Sequence, residues 1–218
     1  MTIPLRGRFV PKIFESMVII MSYVNLPKTK RGEQTLKRIC DAAEELFLER
    51  GYYHTEVSDI TKKAGVATGT FYIYFQDKVS VFLHLMDTLG RKLRREIRLA
   101  KQASPNLPFV ENERVIFRVW FSFVREHMGI FHICWQSLFI EPEFFKKYYE
   151  RFSAGYIDEI VKAQDAGELR ELDPELLSYL LLGVYNFVAL KYLILDKSGP
   201  DDELIDQLIS ILSTGILK

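Results

Sequence analysis

Apolar residues recur every three or four positions along most of this chain, which is the spacing of one face of an α-helix. The first clear stripe covers residues 32–50, and Gly51 follows it where helices commonly end. Few stretches alternate apolar and polar residues as a half-buried strand does. Further helices are predicted at about 55–64, 68–75, 78–103, 110–127, 129–139, 142–166, 174–196 and 202–216. The pattern therefore predicts an all-α protein with about nine helices.

Two of these helices are short and lie close together. Thr55 is placed to cap the first of them, Gly65 ends it, and the second begins near Thr68. Two short helices joined by a tight turn that contains glycine form a helix-turn-helix motif. Asp77 can cap the long helix that follows, and a segment with two prolines at 104–108 ends it.

These breaks divide the chain into four predicted parts. They are an N-terminal extension (1–27), a three-helix head with the helix-turn-helix (28–76), a connecting helix (77–104) and a second helical domain (105–218). The extension has basic residues before a short apolar run, but it lacks the long apolar region and cleavage site of a signal peptide. The favoured interpretation is a mis-annotated start, with translation beginning at Met17 or Met21, and a loosely docked arm is the alternative.

Charge is distributed unevenly along the chain. The whole sequence has 29 basic and 29 acidic residues, but residues 1–104 hold 18 basic against 11 acidic and residues 105–218 hold 11 against 18. Only the N-terminal half is therefore suited to meet a polyanion. Cys40 and Cys134 lie in apolar helical stretches and are too few for a disulfide framework, which favours the reducing cytoplasm.

Several other classes of protein are disfavoured by what the sequence lacks. It contains no nucleophile motif, phosphate-binding loop or dinucleotide-binding turn, so no catalytic residue and no cofactor are predicted. His127, His132 and Cys134 do not have the spacing of zinc ligands, so no metal is predicted. The apolar stretch Tyr179–Leu195 has only 17 residues, which is short for a membrane span, and predicts a buried helix instead.

A long series of residues between positions 36 and 83 follows a known order and spacing. It comprises Ile39, Ala42, Ala43, Leu46, Phe47, Gly51, Tyr52, Thr55, Val57, Ile60, Ala64, Gly65, Val66, Gly69, Thr70, Phe71, Tyr72, Tyr74, Phe75 and Lys78. In this arrangement the segment resembles the DNA-binding domain of the TetR family of transcriptional regulators. The rest of the chain is similar to the family only in its helix count and size.

The second short helix is predicted to be a recognition helix in the major groove of DNA. Such a helix presents one face to the base edges and packs its other face on the preceding helices. Phe71 and Phe75 are predicted to face inward. Gly69 lets the start of the helix approach DNA closely, and Thr68 and Thr70 have short polar groups that can read base edges.

The resemblance and the basic arm before the first helix imply contacts with the DNA backbone. The residues concerned are Lys30, Arg31, Thr55, Tyr72, Tyr74 and Lys78. Both tyrosines are expected to be partly exposed, and Thr55 is expected to cap its helix so that backbone amides hold a phosphate. Two positions depart from the family: Ala67 replaces a common capping serine, and Glu56 would repel phosphate if it faced DNA.

The second domain is rich in aromatic residues, some of which are predicted to line a cavity for a small hydrophobic effector. The predicted lining and polar anchors are Arg118, Trp120, Phe121, His132, Trp135, Gln136, Phe139, Tyr156 and Asn186. The last two helices are predicted to pair with those of a second copy, since both carry apolar stripes. The predicted interface of this homodimer is Leu177, Leu180, Val184, Phe187, Leu204, Leu208, Ile209 and Leu212.

The function that these features predict is a ligand-responsive transcriptional regulator of double-stranded DNA. The resemblance implies a repressor that binds a palindromic operator as a dimer and is released by a hydrophobic small molecule. Effector binding is expected to shift the 129–139 helix against the 78–103 helix. The alternatives are a lipid or small-molecule binding module with a silent helix-turn-helix, and an enzyme whose site is assembled only in space.

Overall fold

The computed structural model of the chain describes residues 23–216, apart from the side chains at positions 130, 132 and 133. The prediction of an N-terminal extension falls mostly on residues 1–22 and so lies outside the described range. Helices account for 78% of the described residues, and that range contains no β-strand. The prediction of an all-α fold is confirmed.

The helices are α1 (Lys30–Arg50), α2 (Val57–Ala64), α3 (Thr68–Tyr74), α4 (Lys78–Ala103), α5 (Phe109–Glu126), α6 (Met128–Cys134), α7 (Ser137–Ile140), α8 (Pro142–Asp165), α9 (Pro174–Ala189) and α10 (Asp202–Ile216). Within residues 23–216, α7 is a single turn and the other nine are longer, in agreement with the predicted number.

Helices α1, α2 and α3 form a three-helix head around one apolar core. Thr29 starts α1, because its hydroxyl accepts a hydrogen bond from the Gly32 amide at 3.1 Å. Gly65 ends α2 in the left-handed conformation, with φ at 65°, and so allows the tight turn into α3. The fully buried core residues of the head include Ile39, Ala43, Phe47, Ile60 and Phe71. The predicted helix-turn-helix is thus packed onto α1.

Helix α4 joins the head to the rest of the protein. It starts at Asp77, whose carboxylate accepts a hydrogen bond from the Ser80 amide at 2.7 Å. Val81 and Phe82 are fully buried in the core of the head, whereas Ile97 also packs against the second core. One helix is therefore shared by both cores.

Residues 109–216 form a second helical domain, which we call the sensor domain. Helix α10 packs on α5, and α9 packs on α8. Their apolar stripes bury a core that includes Phe117, Ile160, Leu181 and Ala189, all without solvent exposure. The helix of Pro174–Leu195 is long and apolar enough to cross a membrane. Its inward residues lie in this core, which supports the prediction of a buried helix.

Two predicted helices differ from the structure. The single helix expected at 129–139 is two helices, because the chain turns at Trp135 and Gln136. There the Ser137 hydroxyl donates to the Cys134 carbonyl, an acceptor that a continuous helix would use for its own backbone. The helix expected at 174–196 is regular only to Ala189 and continues as a wider π-helical segment at Leu190–Leu195.

Helix α6 of the sensor domain packs directly on α1 of the head. The contact is close at Gly129, where an added Cβ atom would lie 2.7 Å from the Cβ of Leu48. Only a residue without a side chain allows this approach. The sensor domain therefore contacts the head at two places, along α4 and across the α6–α1 contact.

Candidate DNA-binding surface and effector cavity

Within residues 23–216, no other segment covers the outer face of α3, so this face can enter a groove. Thr68 and Gly69 are exposed at its start, and an added Cβ atom at Gly69 would meet nothing within 4 Å. Tyr72 is 53% exposed, and Thr70 is half-buried beside the core. Phe71 and Phe75 face inward as predicted, with exposures of 0% and 1%. The helix thus separates a core face from a face that projects into solvent.

The expectation that Tyr74 is partly exposed is wrong. Tyr74 is 8% exposed, and its hydroxyl points toward Gly32 at the start of α1. Its backbone carbonyl accepts a hydrogen bond from the Asn25 amide at 2.8 Å. The exposed residue at this end of α3 is Ile73, at 62%. Neighbouring residues on a helix point about 100° apart, so only one of Ile73 and Tyr74 can face outward here. The resemblance did not show which one.

The prediction that Thr55 caps α2 is also wrong. Thr55 is fully buried, and its hydroxyl donates to the Gly51 carbonyl at 2.8 Å. Glu56 takes the cap position, and its backbone amide donates to the Asp59 carboxylate at 3.0 Å. This hydrogen bond, with the nearby Arg50, holds the pKa of Asp59 below its usual value. Glu56, the acid that would repel a phosphate if it faced DNA, is therefore the residue at which α2 starts.

Basic side chains flank the exposed face of α3. Lys30 and Arg31 are exposed in the first turn of α1. Asn25 ties the segment that precedes them to the end of α3, because its amide side chain donates to the Ile73 carbonyl at 3.1 Å. Lys78 instead turns inward, where its ammonium group donates to the Tyr52 carbonyl at 3.0 Å and lies 4.5 Å from the centre of that ring. A phosphate contact by Lys78 stays a prediction.

An apolar cavity of about 60 Å³ lies between α4 and the sensor-domain helices α5, α6, α8 and α9. Three predicted residues line it: Trp120, Tyr156 and Asn186. Trp120 is fixed there by a hydrogen bond from its indole nitrogen to the Tyr185 carbonyl at 2.9 Å. The remaining walls are mostly aliphatic and aromatic, as small-molecule sites usually are.

An open groove of about 410 Å³ lies outside this cavity. Trp135, another predicted residue, lines the groove together with Lys146 and Phe187. Tyr149 and Asn186 line both spaces, and the tyrosine hydroxyl donates to the Asn186 side-chain oxygen at 3.2 Å. This hydrogen-bonded pair therefore separates the inner cavity from the groove.

Other predicted cavity residues lie elsewhere. Arg118 faces outward and pairs with Asp202 of α10 at 2.9 Å, because α10 packs beside that face of α5. Phe121 is buried in the sensor core, and Phe139 is 78% exposed. Gln136 is half-buried near Gly51, away from the cavity. The side chain of His132 lies outside the described ones.

Glu113 is a buried acid that the prediction missed. It is fully buried on α5, and its carboxyl accepts a hydrogen bond from the Tyr185 hydroxyl at 2.6 Å. Burial raises the pKa of Glu113 to about 7. The sequence contained a signal for this buried acid. Glu113 lies three and four residues before the apolar residues Ile116 and Phe117, which places it on the inward face of α5. An acid on the apolar stripe of a helix is rare enough to single out.

The predicted dimer interface is only partly on the surface. Leu180 and Phe187 are exposed at 56% and 62%, and Val184, Leu204 and Leu208 are half-buried. Leu177, Ile209 and Leu212 are instead buried in the core of their own subunit, because they occupy the inward stripes of α9 and α10. Leu176 on α9 and Ile211 on α10 are likewise exposed, at 59% and 66%.

Comparison with known proteins connects this architecture with transcriptional regulators. Residues 39–85 match the model of a family described as bacterial regulatory proteins, tetR family. The uncharacterized HTH-type transcriptional regulator YdgC of Bacillus subtilis is 29% identical over 192 residues, which cover 86% of this chain and 95% of that protein. Relatives of this kind are regulators rather than enzymes.

Solved structures share the whole fold. The fatty acid degradation regulator FadR from Bacillus halodurans superposes with a TM-score of 0.74 at 22% identity, over 87% of this chain and 98% of that one. The transcriptional regulator FadR from Bacillus subtilis, in complex with stearoyl-CoA, gives a TM-score of 0.70 at 22% identity, over 82% and 98%. The chain thus carries a TetR-family helix-turn-helix at residues 39–85 and is similar over most of its length to known transcriptional regulators.

Proposed function

We propose that the protein is a repressor that binds a palindromic operator as a homodimer and is released by a hydrophobic small molecule. The observation that carries this proposal is the outer face of α3, where Thr68, Gly69 and Tyr72 project from a fully packed head. A helix held in this way can enter the major groove without rearrangement. In a bacterial cell such a regulator works in the cytoplasm.

The exposed apolar residues of α9 and α10 support the dimer. Leu176, Leu180 and Phe187 form one stripe along α9, and Ile211 lies on α10. A soluble protein rarely leaves such a stripe uncovered. Pairing about a two-fold axis would cover it and place two recognition helices one turn of DNA apart, which is the geometry of a palindromic site.

The apolar cavity of the sensor domain supports a hydrophobic effector. The relative from Bacillus subtilis was solved with stearoyl-CoA, which has a long apolar chain. A cavity of about 60 Å³ holds only a few atoms, so a larger ligand must first displace side chains. Opening the Tyr149–Asn186 pair would join the cavity to the outer groove. Effector binding therefore requires the sensor helices to move.

The α6–α1 contact offers the shortest route from this movement to DNA. His127, just before α6, lines the cavity, and its ring nitrogen lies 3.3 Å from the Glu44 carboxylate on α1. Its other ring nitrogen lies 2.9 Å from the ammonium group of Lys92 on α4. We therefore revise the predicted movement. Because α6 packs mainly on α1, we expect it to shift against α1 rather than only against α4.

Operator binding tests the regulatory proposal. Fluorescence anisotropy would be measured with labelled DNA from upstream of the gene and with an unrelated duplex, over a range of salt concentrations. The protein is expected to prefer the upstream DNA by about a thousandfold or more. Replacing Tyr72 with alanine is expected to weaken this binding about tenfold, as loss of a phosphate contact on an ordered helix would.

Replacing Thr214 with alanine, at an exposed position on α10, is the control and should leave binding unchanged. Equal affinity of the parent for both duplexes, or no binding at low salt, would contradict a specific regulator. In that case the helix-turn-helix is silent and the cavity is the working part.

Replacing Gly129 with alanine tests the route from α6 to α1 without any ligand. The new methyl group would lie 2.7 Å from the Cβ of Leu48, so α6 and α1 must separate. We expect operator affinity to fall about tenfold, or ~1.4 kcal/mol, as if an effector were bound. The matched control is Gly155→Ala on α8, where an added Cβ atom meets nothing within 4 Å. Unchanged operator affinity in G129A would show that this contact does not control the head.

A further inference from the structure

The outer face of α3 carries two large side chains, Tyr72 and Ile73. Residues three and four positions apart share one face of a helix, which groups both side chains with Gly69. Because Gly69 has no side chain, nothing at the start of α3 keeps this face away from a partner. Ile73 is the more exposed of the two, at 62%. The face that is proposed to enter DNA therefore carries an apolar group near its end.

Ile73 is held in a fixed position. Its backbone carbonyl accepts a hydrogen bond from the side-chain amide of Asn25, and the next carbonyl, that of Tyr74, accepts one from the Asn25 backbone amide. On either side along the helix, Phe71 and Tyr74 are buried in the core of the head. Isoleucine is also branched at Cβ, which leaves its side chain few rotamers in a helix. Ile73 can therefore form a contact with little loss of conformational entropy.

The charges beside this end of α3 indicate the kind of partner. Asn25 bonds to Ile73, and the basic residues Lys28, Lys30 and Arg31 follow it closely, all of them exposed. The segment 25–31 contains no acidic residue. Basic side chains next to an apolar one suit a polyanion that has apolar groups between its charges. Double-stranded DNA is such a polyanion, and Ile73 lies within the matched residues 39–85.

The major groove of DNA offers an apolar group at one kind of base. Each base pair presents its own pattern of hydrogen-bond donors and acceptors there, and only thymine adds a methyl group. An isoleucine side chain has neither donor nor acceptor, so it cannot hydrogen-bond to a base edge. Packing it against the thymine methyl group removes the apolar surface of both from water. An exposed isoleucine on this face is therefore matched to thymine.

We propose that Ile73 is a specificity-determining residue that selects a thymine in each half-site of the operator by contact with the methyl group of that base. The sequence-based prediction assigned base reading to Thr68 and Thr70. Thr70 is half-buried beside the core, which leaves a larger share of the reading to Ile73. This inference rests on the proposed function and names a base that the operator contains.

Exchanging thymine for uracil tests the inference, because uracil lacks the methyl group and keeps the hydrogen-bonding groups of the base. The upstream duplex would be prepared with uracil in place of a fraction of its thymines. The positions at which uracil is depleted from the protein-bound fraction would then be mapped. We expect a sensitive thymine at symmetric positions in the two half-sites. A duplex with uracil at one of these positions should bind about fourfold more weakly, which is the effect of one buried methyl group.

Two variants separate Ile73 from the rest of α3. Ile73→Ala should bind the thymine and uracil duplexes with affinities within about twofold of each other, since the methyl group has lost its partner. Tyr72→Ala should bind both duplexes more weakly but keep the ratio of about fourfold, because a phosphate contact carries no information about the base.

The outcomes distinguish this inference from the proposed function. A specific complex without any uracil-sensitive thymine, or the same sensitivity in I73A as in the parent, would overturn the inference and leave the regulator in place. Loss of the ratio in Y72A as well as in I73A would also contradict it, because the methyl group would then not be read by Ile73 itself. A parent that forms no specific complex would contradict the proposed function and, with it, the inference.

Discussion

Replacing Phe187 with glutamate is expected to give a folded monomer that has lost specific operator binding. Phe187 is 62% exposed on α9 and projects from the apolar stripe proposed as the dimer interface. Burying a phenylalanine stabilises an interface by about 1.5–3 kcal/mol, and in a two-fold dimer each subunit contributes one copy of the residue. A glutamate at the same place puts two like charges into an apolar contact.

Without the dimer, each recognition helix would bind its half-site alone. Operator affinity should then fall by at least about a hundredfold, because the second half-site no longer benefits from the first. Light scattering after gel filtration would measure the mass, and anisotropy the affinity. Leu99→Glu on α4 is the matched control, since Leu99 is also half exposed but lies outside the stripe. A dimeric F187E protein with parental affinity would refute this interface.

Helix limits were predictable because local chemistry sets them. Asp77 and the proline segment after Ala103 gave α4 its observed bounds, and Gly51 gave the end of α1. In each case a capping or helix-breaking residue lies within four residues of the helix end that it sets, so the end can be located from the sequence. The series of residues between positions 36 and 83 gave the helix-turn-helix for the same reason, since its packing is mostly between neighbouring helices.

Contacts between distant segments were not predictable in this way. Periodicity showed that Arg118 lies on α5, but its direction depends on where α10 packs, and that brings it to Asp202. The same is true of Leu177 and Ile209. The helices α9 and α10 each have two apolar faces, and only the packing of the domain decides which face is buried. The contact of Gly129 with Leu48 spans about eighty residues and left no local signal.

Replacing Phe71 with alanine is expected to unfold the head while the sensor domain stays folded. Phe71 is fully buried in α3 and packs against Phe75, with ring centres 5.5 Å apart. Deleting such a ring costs about 3–5 kcal/mol through lost burial and the cavity that remains. Because α3 has only seven residues, its helical structure depends on this packing.

Ile73→Ala on the same helix separates stability from DNA contact. Ile73 is 62% exposed, so its loss should change stability by less than about 0.5 kcal/mol while weakening operator binding. Both tryptophans, Trp120 and Trp135, lie in the sensor domain, so their fluorescence does not report on the head. Hydrogen exchange of the α3 amides is the suitable measurement. F71A should lose protection there and I73A should keep it. Parental protection and operator affinity in F71A would mean that α3 is held by contacts other than its buried face.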